Sequence, residues 1–149
     1  MRKIYVAALV YMILGLISGL YYRELTRAND FTGDSQLSVV HTHILALGML
    51  FFLVVLALEK LFTLTAGSLF TAFFWVYNAG LALTVGLMLV RGTLTVLGHQ
   101  PGAALDGISG LGHVTITLGL IFFFVNLGKR LPATDKAGLS QADDVRRGG

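Results

Sequence analysis

Four apolar runs, Ile4 to Tyr22, Leu37 to Leu58, Gly67 to Val90 and Leu105 to Leu127, take up most of this chain, and Asp106 is the one charged residue inside any of them. The hydrocarbon of a bilayer is about 30 Å thick and is crossed by about 20 helical residues. Backbone polar groups at that depth must be satisfied within the segment, which leaves helix as the only form for a single run. The expectation is therefore an all-α protein, an integral membrane four-helix bundle with helices over about 4–22, 37–58, 68–91 and 105–127. These lie in one transmembrane domain, 1–132, and 149 residues leave no room for a soluble domain beside it.

The ends of the runs carry the punctuation. Met1-Arg2-Lys3 ahead of an apolar run also describes a secretory signal, but this run is long for a signal core and has no Ala-x-Ala site, so it reads as an uncleaved first helix. Arg23 to Gln36 mixes charge signs around Asn29-Asp30 and Gly33-Asp34 and reads as a loop with at most a turn of helix. Apolar character continues past Arg91 to Leu97, so the third helix either projects from the hydrocarbon or ends in the interface. Gly98-His99-Gln100-Pro101-Gly102 breaks the chain. Residues 133–149 are polar and charged and are expected to be a disordered tail.

Basic residues set the orientation. Arg2, Lys3, Lys60, Lys129, Arg130, Lys136, Arg146 and Arg147 fall on one side of the spans, and Arg23, Arg27 and Arg91 on the other. By the positive-inside rule the first side is cytoplasmic. Both termini are then expected inside the bacterial plasma membrane, with the second and fourth helices starting at the outer face.

Several chemistries are excluded. With no cysteine there is no disulfide, thiolate ligand or cysteine nucleophile. The net charge of +3 comes from residues flanking the spans and not from a patch with interleaved aromatics, so nucleic acid is not a partner. No Ser/His/Asp grouping or phosphate loop is present.

What stands out is imidazole at membrane depth. Val40-His41-Thr42-His43-Ile44-Leu45-Ala46-Leu47-Gly48 places two histidines near the start of the second helix, and Gly110-Leu111-Gly112-His113 places a third in the fourth. Ionisable groups at such depth are costly and are functional candidates. At about 1.5 Å per residue, His43 lies roughly 9 Å below Leu37 and His113 roughly 8 Å below Ile108, which puts both in one layer. His41 is slightly nearer water, and His99 lies in the loop above. At about 100° per residue, His41 and His43 point about 200° apart, so only one of them can face His113 from an undistorted helix.

Two imidazoles from different helices at one depth suit axial ligation of haem b, with His43 and His113 the preferred pair, His41 the alternative and Arg91 placed for the propionates. A second reading gives His41, His43, His113 and His99 to copper or zinc. A third gives the histidines no cofactor: they bond to carbonyls or to Thr42, Thr115 and Thr117, in an accessory subunit of a membrane complex or a homodimer joined through Gly15 and Gly19, whose spacing suits helix contact. Asp106 reads as a helix cap and Asn78 as one interhelical hydrogen bond. Phe70, Phe73, Phe74, Trp75, Tyr77 and Phe122 to Phe124 either flank a porphyrin or face lipid.

His41-Thr42-His43 with Gly48 resembles the histidine-bearing helices of haem–copper oxidase catalytic subunits and their small relatives. That resemblance implies His41 or His43 as a haem ligand. The three copper ligands on other helices have no counterpart, and the chain is much shorter than such a subunit, so it is not expected to reduce oxygen on its own. Over nearly its whole length the chain resembles a family of small bacterial membrane proteins, domain of unknown function 2871, through Val40 to Gly48, Gly110 to His113 and the four runs. This implies the architecture and no activity.

Overall fold

The computed structural model describes residues 1–100 and 102–131, and the expected tail at 133–149 lies outside the described residues. There are four long helices, which we label α1 (Arg2–Ala28), α2 (Leu37–Phe62), α3 (Phe70–Val96) and α4 (Ala103–Gly128). All four contain a stretch long and apolar enough to cross a membrane, and no strand is found among the described residues. The chain is thus an all-helical, multi-pass membrane protein. Three helices run past the C-terminal ends of their apolar runs by a turn or more, α2 doing so through Glu59 and Lys60 to Phe62. α1 continues through Arg23, Glu24 and Arg27 to Ala28, and α3 through Arg91 to Val96. Hydropathy marks where lipid ends, whereas Arg, Glu and Leu remain good helix formers beyond that point. The stretch Arg23 to Ala28 is therefore helix and not loop.

Glycines set the packing. On α1 a Cβ at Gly15 would stand 2.5 Å from the Leu45 side chain, and on α2 a Cβ at Gly48 would stand 2.7 Å from Cβ of Tyr11. Gly19 faces His41. These pairs run in opposite directions along the two helices, so α1 and α2 are antiparallel. Gly15 and Gly19 do permit a close helix contact, but the helix they admit is α2 of the same chain. α3 and α4 make the most extensive contact in the protein. A Cβ at Gly80 would lie 2.6 Å from the backbone nitrogen of Ile116, and one at Gly119 would lie 2.9 Å from Cα of Tyr77. Small residues allow backbones this near, and in lipid, where burial of apolar surface gives no advantage, dense packing is the main attraction between helices.

Between Ile44 and Leu50, α2 is a π-helix, with α-helix on either side. Its buried positions step by four at Val40, Ile44, Gly48 and Phe52. In an unbroken α-helix those three steps would carry Phe52 about 120° away from Val40. The wider turn takes up one extra residue and keeps them in line. Tyr77 of α3 donates a hydrogen bond of 2.8 Å to the carbonyl of Leu47 within this turn. Tyr77→Phe is expected to cost about 1–3 kcal/mol, the range for a buried acceptor left without its donor. The measurement is the unfolding midpoint in detergent together with amide exchange, and the faster exchange should centre on residues 44–51.

The core fills the end of the bundle that carries Ile4. There Phe51 stacks on Tyr77 at 4.5 Å between ring centres, and Phe73 meets Phe123 at 5.0 Å. Trp75 and Phe124, at 66% and 64% exposed, turn away from this core toward the lipid. At the same end, buried Glu59 accepts a hydrogen bond of 2.8 Å from the backbone N–H of Thr65 and another from its hydroxyl. Buried Asn126 donates to the Leu64 carbonyl at 3.0 Å. Together they fix the turn between α2 and α3, so the opposite end is held as a consequence of a rigid base.

Candidate cofactor site

At the opposite end, α2, α3 and α4 border a half-open recess of about 210 Å³ lined by Gln36, Val39, His43, Thr84, Met88 and His113, with His43 half-buried and His113 exposed. His43 is positioned by its own helix: its Nδ1 lies 2.9 Å from the carbonyl of Val39, one turn back. A carbonyl only accepts, so Nδ1 carries the proton, and the neutral ring keeps its lone pair on Nε2. Such a bond to a backbone carbonyl is the usual second contact of a ligating imidazole, where it fixes the tautomer and ring orientation.

His113 enters the cavity from α4, on the helix that Gly80, Gly112 and Gly119 bring against α3. Gly112 is the position at which a side chain would run into Thr84. Thr84 is 2% exposed, and its hydroxyl has no hydrogen-bond partner among the described residues. Buried hydroxyls nearly always have one, so a polar atom without a partner beside a cavity marks a place where a further group belongs. A Cβ at Gly110, one turn before His113, would meet nothing within 4 Å.

A second recess, of about 380 Å³, is lined by Arg91 with Asp34, Ser35, Gln36, Ser38, Val39 and Thr95. Gln36 and Val39 line both recesses, so the Arg91 recess adjoins the imidazole cavity.

His41 lies elsewhere. It is half-buried against Gly19 of α1, its Nδ1 is buried without a hydrogen-bond partner among the described residues, and its Nε2 is 3.3 Å from the Thr42 hydroxyl. His99 is exposed beyond α3, where its backbone N–H donates to the Leu94 carbonyl at 2.9 Å. Among the described residues no three of His, Cys, Asp and Glu converge so as to hold a metal ion. Protein-held zinc takes three or four such ligands. The backbone of Asp106 is in α4, and its side chain lies outside the described residues. Asn78 accepts a hydrogen bond of 2.6 Å from the Tyr11 hydroxyl and donates one to the Phe74 carbonyl, and so joins α1 to α3.

Sequence reasoning passed over Gln36, Val39, Thr84 and Met88. Thr84 and Met88 did carry a signal, because they are one turn apart on α3 and so share a face, and Thr84 is polar in the middle of an apolar run.

Comparison with known proteins gives one match. The family model described as "Protein of unknown function (DUF2871)" covers residues 1–130. No curated protein and no solved structure matches.

Proposed function

The chain belongs to the DUF2871 family, which carries no activity with it, and from the residues themselves we propose a small membrane haem protein that transfers electrons or senses a gas or redox state. The observation that carries this reading is that His43 and His113, on two different helices, line one cavity. The chemistry of the lining suits the group. His43 offers an Nε2 lone pair with its tautomer fixed, and the Arg91 recess adjoins on the side where carboxylate propionates need a cation. The two recesses, about 210 and 380 Å³, are together of the order of a small-molecule site, roughly 300–1,000 Å³.

In this reading His43 and His113 hold the iron, Val39 orients His43 and makes it a stronger donor, and Arg91 neutralises the propionates. Thr84 supplies a hydroxyl to the edge of the site. A bound haem b would contribute one-electron redox chemistry or affinity for a diatomic gas. Met88, also in the lining, offers the one thioether. Electron paramagnetic resonance separates a bis-imidazole centre from an imidazole–thioether one, and the bis-imidazole signal is the expected result.

The first test is absorbance. Protein purified in mild detergent after expression with added haem precursor should show a Soret band that shifts and sharpens on reduction, and pyridine should extract about one haem b per chain. A colourless protein under those conditions, or copper or zinc without porphyrin, would overturn the assignment.

A further inference from the structure

A larger cavity lies away from the histidines. α1 packs on α2 and not along α3, and two hydrogen bonds bridge the gap between α1 and α3: Tyr11 to Asn78 at 2.6 Å, and Tyr21 with Thr93 at 3.2 Å. Between the two helices, with Tyr11 and Asn78 in its lining, runs a groove of about 960 Å³. Its walls are almost wholly apolar, from Val6, Val10 and Leu14 on one side and Trp75 and Gly86 on the other, and its mouth carries Arg2 and Lys3. Neither cation makes an ion pair among the described residues.

We propose that this groove holds one acyl chain of an anionic phospholipid, with the phosphate at Arg2 and Lys3. Three features select that occupant over a partner helix or a neutral lipid. The first is length. From Lys3 to Leu14 the α1 wall rises roughly 17 Å, and from Trp75 to Gly86 the α3 wall does the same, which matches half of the roughly 30 Å hydrocarbon thickness, the depth of one leaflet. The second is charge. Two cations stand at the end of an apolar slot, where each basic residue near the surface favours an anionic headgroup by several-fold. The third is Trp75, two-thirds exposed beside that end, since indole rings collect at the headgroup level.

The groove also contains a site at which it can be closed. A Cβ at Gly86, which lines the groove, would meet nothing within 4 Å, so a side chain added there begins in open space. The experiment offers the full chain, in mild detergent, phosphatidylglycerol and phosphatidylcholine with identical oleoyl chains, and reads retained lipid by native mass spectrometry. The wild type should keep one phosphatidylglycerol with a preference of roughly tenfold to thirtyfold. Arg2→Gln with Lys3→Gln should bring the two lipids level, and Gly86→Phe should reduce retention of both while the melting midpoint stays within a few degrees. His43→Ala should change none of these, because the groove does not involve the imidazole cavity. Equal retention by the wild type, a preference that survives the double glutamine variant, retention unaffected by Gly86→Phe, or a neutral isoprenoid in place of phospholipid would each overturn the proposal.

Discussion

On the proposed haem reading, alanine at His43 or at His113 is expected to remove haem from the purified protein, with affinity falling at least about a hundredfold. Loss of a mere outer-shell partner at a metal site already costs 10- to 100-fold, and either substitution would remove one of the two proposed ligands itself. The double variant should be little worse than either single one, because each already empties the same cavity. His41→Ala should keep its Soret band, since His41 lies against Gly19 of α1 and not in the cavity that His43 and His113 line. Absorbance of the four proteins, normalised to chain concentration, decides the matter. Equal, independent losses at His41, His43 and His113 would show that the bis-imidazole assignment is wrong.

The second large effect concerns the contact between α3 and α4. Gly80→Leu and Gly119→Leu are each expected to cost about 3 kcal/mol or more, the upper range for overpacking, because the new atoms meet backbone and no flexible side-chain end can yield. Cβ alone would stand 2.6 Å from the nitrogen of Ile116 at the first position and 2.9 Å from Cα of Tyr77 at the second. Both variants should lose the single sharp peak in detergent size exclusion and, with it, the wall that carries His113. Gly110→Ala is the control. It meets nothing within 4 Å, and exchanging glycine for alanine inside a helix gains roughly 0.5–1 kcal/mol. Normal behaviour of the Gly80 and Gly119 variants would mean that the two helices do not pack as closely as described.

Much of the fold is legible in the sequence because lipid imposes so simple a rule: an uncharged run of sufficient length has to be a helix. The rule says nothing about where a helix stops once it leaves the hydrocarbon, which is why Arg23 to Ala28 reads as loop and is helical. Gly15 and Gly19 announce a close neighbour, but the spacing does not say whose helix it is, and it is α2. The aromatic runs divide in a way that composition does not reveal, with Phe73, Tyr77 and Phe123 packed together and Trp75 and Phe124 facing outward. Helical period alone separates His41 from His43. It takes packing to show that Thr84 and Met88 stand beside His43, since residues from separate helices share a wall only after the helices have found each other. The π-helical turn is the least legible feature, because nothing in Ile44 to Leu50 differs from an ordinary apolar helix except Gly48.

That turn makes the distance along the chain between His43 and Phe52 as much a part of the design as the two residues. Deleting any one residue from Ile44 to Leu50 would leave every other side chain in the sequence and allow the helix to close up as regular α. Because the wider turn already absorbs one residue, the shortened α-helix would leave Val40 and Phe52 eleven residues apart and within about 20° of one line, so the two segments would keep their facing. It is the full count wound as unbroken α-helix that would swing the imidazole end, by about 100°, since Phe52, Val55 and Glu59 are anchored in the core. The wider turn, matched to the number of residues it must absorb, is therefore what aims His43.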